Sequence, residues 1–117
     1  MSRLKRVLVC GSRGFEDYDL LEKMLDKYYI NQAILIVEGG ADGADKLAEK
    51  YSDKRGIECK IFLADWKGNG KLAGLMRNSR MVAFWDLKSP GTRDAIKKCK
   101  RAGKFVRVIT GWETRDQ

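Results

Sequence analysis

A glycine-rich turn at residues 39–45, with the sequence GGADGAD, is the part of the chain best suited to bind a charged group. It follows an apolar run at residues 33–37 and precedes the helix-like segment 46–50. Gly39, Gly40 and Gly43 allow the backbone to turn sharply, so that its N–H groups can approach an oxyanion closely. The positive end of the following helix then favours negative charge. This junction predicts a binding site for a small molecule that carries phosphate.

A second turn of this kind lies at residues 11–14 (GSRG), directly after the first apolar run. Gly11 permits the turn, and the hydroxyl and N–H groups of Ser12 can donate to a phosphate oxygen. Arg13 can bind the same phosphate through two parallel hydrogen bonds. The simpler alternative is a tight turn with an exposed arginine. The spacing matches neither the dinucleotide-binding GxGxxG motif nor the Walker A loop.

A third turn, at residues 89–92 (SPGT), enters the last predicted helix. Ser89 or Thr92 can cap that helix, and the N–H groups around Gly91 can bind an anion. After the 39–45 turn, this is the second strongest indication of a site.

Two carboxylates flank the first turn, and each has competing roles. We favour Asp42 as the cap of the following helix, while Asp45 suits the first turn of that helix because negative charge is stabilised there. The alternative for both residues is to bind ribose hydroxyls or a magnesium ion that bridges phosphates. The sequence does not distinguish between these two roles for Asp45.

Three more residues are candidates for ligand contacts. Arg77 and Asn78 precede the fourth predicted strand and can bind phosphate and a base or ribose, although an arginine also suits a helix C-terminus. Trp66 follows the third strand and can stack on a nucleobase. We assign Trp85, which ends an apolar run, to core packing instead.

The composition sets wide limits on function. The chain has 117 residues, no histidine and a formal net charge of +8. Without histidine, Ser-His-Asp and Cys-His nucleophile systems and histidine-based metal sites are excluded. The three cysteines lack the spacing of a zinc site, and we expect neither a metal nor a cofactor.

The net positive charge of the chain favours an anionic partner. We interpret the basic residues at 97–104 as a solvated helix face, with a nucleic-acid patch as the alternative.

The sequence gives no indication of a membrane partner. The N-terminus is polar and passes directly into the first predicted strand, so no signal peptide is expected. No apolar run approaches the ~20 residues that span a bilayer. We therefore expect a cytoplasmic protein.

Predicted strands and helices alternate along the chain. The strands lie at residues 5–10, 33–37, 58–64, 81–85 and 105–110, and the helices at 17–29, 42 or 43 to 54, 71–79 and 91–102. Asp17 is available as the N-cap of the first helix, and Gly56 is expected to end the second. This order predicts a single α/β domain over residues 1–117, with a mainly parallel sheet covered by helices on both faces. Ligands of such sheets bind beyond the carboxyl ends of the strands. All three glycine turns fall on that edge.

Taken in order, these motifs resemble the SLOG superfamily, and within it the branch of short bacterial and phage proteins related to YspA and YpsA. The similar segments are residues 11–15, 39–45 with 47–48, 64–66, 73–74, 77–78 with 81, 83–86 and 89–92. The resemblance spans nearly the whole chain. It implies a Rossmann-like, three-layer α/β fold that binds nucleotides or nucleotide-derived ligands, often as a homo-oligomer.

The superfamily contains proteins with different activities. Sensor domains of antiviral signalling systems bind ADP-ribose derivatives, whereas LOG enzymes hydrolyse the N-glycosidic bond of nucleoside monophosphates. The LOG glutamate stands three residues after the threonine of a Gly-Thr turn, a position that is Ala95 here. The resemblance therefore favours binding of a phosphorylated, ADP-ribose-like ligand. The first alternative is a nucleotide N-glycosidase that uses Asp45 or Asp94. The second is binding of single-stranded nucleic acid, as in the relative DprA.

Overall fold

The computed structural model describes residues 5–61 and 79–112, which form a parallel sheet and three helices. Each predicted apolar run in this part of the chain forms a strand, and each amphipathic segment forms a helix. In chain order the elements are β1 (Lys5–Gly11), α1 (Tyr18–Tyr29), β2 (Ile34–Glu38), α2 (Ala44–Arg55), β3 (Cys59–Ile61), β4 (Ser79–Phe84), α3 (Pro90–Arg101) and β5 (Phe105–Ile109).

The five strands pair in the order β3-β2-β1-β4-β5, and every pair is parallel. Strand β1 lies at the centre, with the earlier part of the chain on one side and the later part on the other. The chain therefore changes direction across the sheet between β1 and β4. In open α/β sheets a crevice forms at this point, beyond the carboxyl ends of the strands.

Helices cover both faces of the sheet, which confirms the predicted three-layer arrangement. On one face, β1 residues such as Val7 and Val9 pack with Leu21 and Leu25 of α1 and Ala48 of α2. On the other face, alternate strand residues contact α3. These residues are Leu8, Cys10, Met81 and Ala83 on the strands and Ala95, Ile96 and Cys99 on the helix. Because side chains alternate along a strand, both faces of the central strands are apolar and buried.

The helix ends test the capping predictions directly. The Asp17 carboxylate accepts a hydrogen bond of 3.0 Å from the Leu20 N–H group and caps α1, as expected. Gly56 ends α2 in the left-handed conformation, also as expected. The prediction that Asp42 caps α2 is wrong, because Gly43 occupies the N-cap position and Asp42 is exposed. Only glycine readily adopts the backbone angles found at Gly43, a φ of 83° with a ψ of −131°.

Met81, the first residue of the predicted fourth strand, belongs to β4 and is buried. Trp85 packs against the α3 face of the sheet as predicted, and its Nε1 donates to the Ser89 carbonyl at 3.1 Å. Within the described ranges, no helix combines the length and apolarity needed to cross a bilayer.

Candidate functional site

A cavity of about 730 Å³ lies at the carboxyl ends of β1 and β2 and at the start of α3. The three glycine turns, far apart in sequence, meet there. The cavity is lined by nine of the predicted site residues: Gly11, Ser12, Arg13, Gly39, Gly40, Asp45, Ser89, Gly91 and Thr92. Among the residues that the structure describes, Cys10, Gly14, Ala41, Asp86, Pro90 and Ala95 also line it.

The β1 turn is held against its neighbours by backbone packing. A Cβ atom at Gly11 would lie 2.6 Å from the Phe84 carbonyl oxygen and 2.7 Å from the Ala44 Cβ atom. The Ser12 N–H group donates to the same Phe84 carbonyl at 3.0 Å. This N–H, which the sequence suggested as a phosphate donor, is therefore used to join β1 to β4. Arg13 is exposed at the cavity wall.

Asp86 organises the segment between β4 and α3. Its carboxylate accepts hydrogen bonds from the N–H groups of Lys88 at 2.8 Å and Ser89 at 2.7 Å, and from the Ser89 hydroxyl at 3.0 Å. The Asp86 N–H donates in turn to the Ser12 Oγ atom at 3.0 Å. Partial burial by itself would raise the pKa of Asp86, but these hydrogen bonds outweigh it and lower the pKa to about 2. Asp86 is thus negatively charged at neutral pH.

The amino end of α3 faces the cavity with its capping serine engaged elsewhere. Ser89 holds the N-cap position, yet its side chain makes no capping hydrogen bond because the hydroxyl is shared between Asp86 and Ser12. Pro90, the first helical residue, has no N–H group. The N–H groups of Gly91 and Thr92 have no acceptor within the helix at this position. They are left available to an anion on the cavity side.

In the turn after β2, by contrast, the N–H groups are already bound by the protein. The Asp45 Oδ2 atom accepts from the N–H groups of Gly39 at 3.0 Å and Ala41 at 3.2 Å, and Glu38 Oε1 accepts from the Gly40 N–H. The N–H groups of Gly39, Gly40 and Ala41 are therefore all bound to carboxylates of the protein itself. The sequence predicted that this turn binds phosphate through these groups, whereas here they support the turn. This side of the cavity therefore presents carboxylate oxygens, which accept hydrogen bonds, in place of N–H donors.

Glu38 is fully buried beneath this turn. Burial raises the pKa of Glu38 to about 7; the hydrogen bond from the Gly40 N–H opposes this rise, and the negative charges of Asp45 and Glu49 add to it. The Cys59 Sγ atom lies 3.8 Å from Glu38 Oε2. Neither Glu38 nor Asp86 was predicted as a site residue. The sequence feature that could have indicated both residues is an acidic residue at the end of an apolar run. In the case of Glu38, a glycine turn also follows directly.

The remaining candidates lie away from the cavity or outside the described residues. Asp42 and Asp94 are exposed and are not among the residues that line the cavity. Ala95, the next residue on α3, does line it. Gly43 supports the β1 turn from behind, because a Cβ atom there would lie 2.8 Å from the Arg13 carbonyl oxygen. Trp66, Arg77 and Asn78 fall outside the described residues, as do most of the predicted 71–79 helix and the end of the predicted 58–64 strand.

Replacing Asp45 by alanine should lower the free energy of unfolding by about 2 kcal/mol, because two N–H groups lose a charged acceptor. Asp45→Asn should cost less than half as much, since its amide oxygen can accept from both groups. Urea denaturation of the two variants measures the difference. Equal losses would show that the charge of Asp45, and not its acceptor geometry, supports the turn.

A parallel sheet with helices on both faces and a polar cavity at its switch point defines a Rossmann-like α/β protein. The chain belongs to the YspA, cpYpsA-related SLOG family, whose model matches residues 5–68. It is also 30% identical to the Gene 61 protein of Mycobacterium phage D29, in an alignment that covers 86% of this chain and 92% of the phage protein. No solved structure matches the chain at a significant level.

Proposed function

We propose that the cavity binds a phosphorylated nucleotide or an ADP-ribose-like derivative of one. The observation that carries the proposal is the contrast between its two sides. On one side, the N–H groups of Gly91 and Thr92 and the guanidinium group of Arg13 are donors, whereas on the β2 side the Asp45 carboxylate is an acceptor. A ligand that carries both phosphate and ribose hydroxyls complements both sides.

The phosphate belongs at the amino end of α3. The helix dipole and unpaired N–H groups there stabilise negative charge, and Ser89 does not compete for them. Arg13 lies on the same cavity and can add a charge-assisted hydrogen bond. The ribose hydroxyls would then donate to Asp45. A volume of about 730 Å³ falls in the usual range for small-molecule sites.

Binding fits this site better than hydrolysis. The position that carries the LOG glutamate is Ala95, whose side chain offers no acid or base. Asp94 is exposed and is not among the residues that line the cavity, and Asp45 already accepts two hydrogen bonds from the turn beside it. We therefore propose a ligand-binding or sensor role, in keeping with the family, and not an N-glycosidase.

Arg13→Ala should weaken nucleotide binding by more than tenfold, because a charge-assisted pair with phosphate contributes about 1.5–3 kcal/mol. The matched control is the triple variant Lys97→Ala/Lys98→Ala/Lys100→Ala, which removes more positive charge from the far part of α3. Screened lysines should change affinity by well under 1 kcal/mol. Isothermal titration calorimetry with AMP, ADP and ADP-ribose measures both variants.

A larger loss in the lysine variant than in Arg13→Ala would move the site away from this cavity. Failure of all three nucleotides to bind the wild-type protein would contradict the proposed ligand class.

A further inference from the structure

A cluster of arginine and aromatic side chains lies at the amino ends of the strands, whereas the cavity lies at their carboxyl ends. It consists of Tyr28 near the end of α1, Arg80 in β4, and Phe105 and Arg107 in β5; we call it the arginine–aromatic cluster. Arg80 pairs in register with Phe105, the first residue of β5, so the cluster sits at the amino ends of these strands. β5 is an edge strand of the sheet.

The guanidinium groups lie against the aromatic rings. The Arg107 Cζ atom is 3.8 Å from the centre of the Tyr28 ring and 4.6 Å from that of Phe105. The Arg80 Cζ atom is 5.9 Å from the Phe105 ring centre. Phe105 nevertheless remains 49% exposed. The rings hold the two cations in place while part of Phe105 stays open to a partner.

In the part of the chain that the structure describes, no carboxylate forms an ion pair with either guanidinium group. Within residues 5–61 and 79–112, the ion pairs join Lys54 and Arg55 to Glu22 and Asp26, and none involves Arg80 or Arg107. Two half-buried arginines around a single ring repel each other, so an anionic partner would be favourable there. The Lys27 Nζ atom, 5.8 Å from the Tyr28 ring centre, adds a further positive charge.

The charges also select among partners for this edge. A second copy bound symmetrically through the cluster would bring the same unpaired arginines together, which is unfavourable. A single-stranded nucleic acid offers both phosphates for arginine and bases that stack on aromatic rings and guanidinium planes. Neither requirement depends on the nucleotide cavity.

We propose that the arginine–aromatic cluster binds single-stranded nucleic acid, with Arg80 and Arg107 on phosphates and Phe105 against a base. This surface is distinct from the nucleotide cavity, so the two can be tested separately. The overall positive charge of the chain, +8, assists the encounter but does not select this surface.

The test is fluorescence anisotropy with labelled oligothymidylate and oligouridylate of about 12 nucleotides, a length within the range of single-strand sites. Arg80→Gln/Arg107→Gln is compared with Lys97→Gln/Lys100→Gln, which removes the same charge from exposed positions on α3. We expect the arginine variant to lose tenfold or more in affinity and the lysine variant less than threefold. The slope of log affinity against log salt should also fall by about 1.4 in the arginine variant, for two lost phosphate contacts.

Phe105→Leu keeps the edge apolar and all charges in place, and it tests the stacking contact if the arginine variant does not fold. It should lose about fivefold or more in affinity, while calorimetry with nucleotides stays unchanged. Comparison of the two oligonucleotides distinguishes DNA from RNA as the preferred strand. Equal losses in the arginine and lysine variants, or no binding by the wild-type protein, would overturn the proposal. The proposal would also be overturned if neither oligonucleotide bound and light scattering showed a dimer that the arginine substitutions dissociate.

Discussion

Gly43→Ala should destabilise the protein by about 3 kcal/mol and abolish ligand binding in the cavity. Gly43 has a φ of 83°, which costs an alanine about 1–3 kcal/mol in strain. The added Cβ would also collide with the backbone of the β1 turn, at 2.8 Å from the Arg13 carbonyl oxygen and closer still to that of Ser12. Backbone atoms cannot move aside as a flexible side chain can, so overpacking adds to the strain.

Gly14→Ala is the matched control for this prediction. Gly14 lies in the same turn and lines the same cavity, yet a Cβ there would have no atom within 4 Å. Urea denaturation should place Gly14→Ala within about 0.5 kcal/mol of the wild-type protein, as for ordinary surface changes. If Gly43→Ala is as stable as Gly14→Ala, the close packing of the two turns is not what positions the cavity.

Glu38→Gln should remove a pH dependence of stability that the wild-type protein shows between about pH 4.5 and 7. In the folded protein the pKa of Glu38 is raised from 4.5 to about 7, with burial as the main cause. The unfolded chain therefore releases the Glu38 proton at a lower pH than the folded protein does. Wild-type stability should fall as pH rises through this window and become level above it. The loss amounts to about 3 kcal/mol.

The measurement is the free energy of unfolding in urea at a series of pH values from 4.5 to 8. Glu38→Gln should match the wild-type protein near the lower end and exceed it by about 3 kcal/mol at the upper end, because glutamine keeps an acceptor for the Gly40 N–H without the buried charge. Glu58→Gln, at an exposed position before β3, controls for the loss of one negative charge. A difference between Glu38→Gln and wild type that stays constant with pH would contradict this account.

The sequence predicted the fold well because the strong signals are local. Runs such as Val7 to Cys10 are apolar throughout, which is typical of strands buried on both faces of a parallel sheet. Their alternation with amphipathic helices leaves few possible topologies. The caps at Asp17 and Gly56 also depend on neighbouring residues alone and were predicted for that reason.

Features that depend on distant contacts were predicted less well. Asp42 has a side chain suited to capping, but the close approach of the β1 turn requires a glycine at the start of α2. Spacing alone could not predict that the N–H groups of Gly39 and Ala41 donate to Asp45, because a ligand could accept the same hydrogen bonds. Asp86 lines the cavity and binds Ser12, which is 74 positions away in the chain, and spacing could not show that contact.

The cavity that results has a defined polarity. Its donors come from α3 and Arg13, and Asp45 supplies an acceptor on the β2 side. The turn after β2, the most prominent glycine motif in the sequence, therefore shapes the cavity from the acceptor side, and under the proposed function phosphate binds at the turn before α3.

A crystal structure of the protein with whichever of AMP, ADP and ADP-ribose binds most tightly tests this polarity most directly. We predict a phosphate oxygen within about 2.7–3.2 Å of the Gly91 or Thr92 nitrogen, with Arg13 turned onto the phosphate and a ribose hydroxyl on Asp45. A phosphate bound instead to the N–H groups of Gly39 and Gly40, released from Asp45 and Glu38, would contradict the account. A nucleotide bound outside the cavity would contradict it equally.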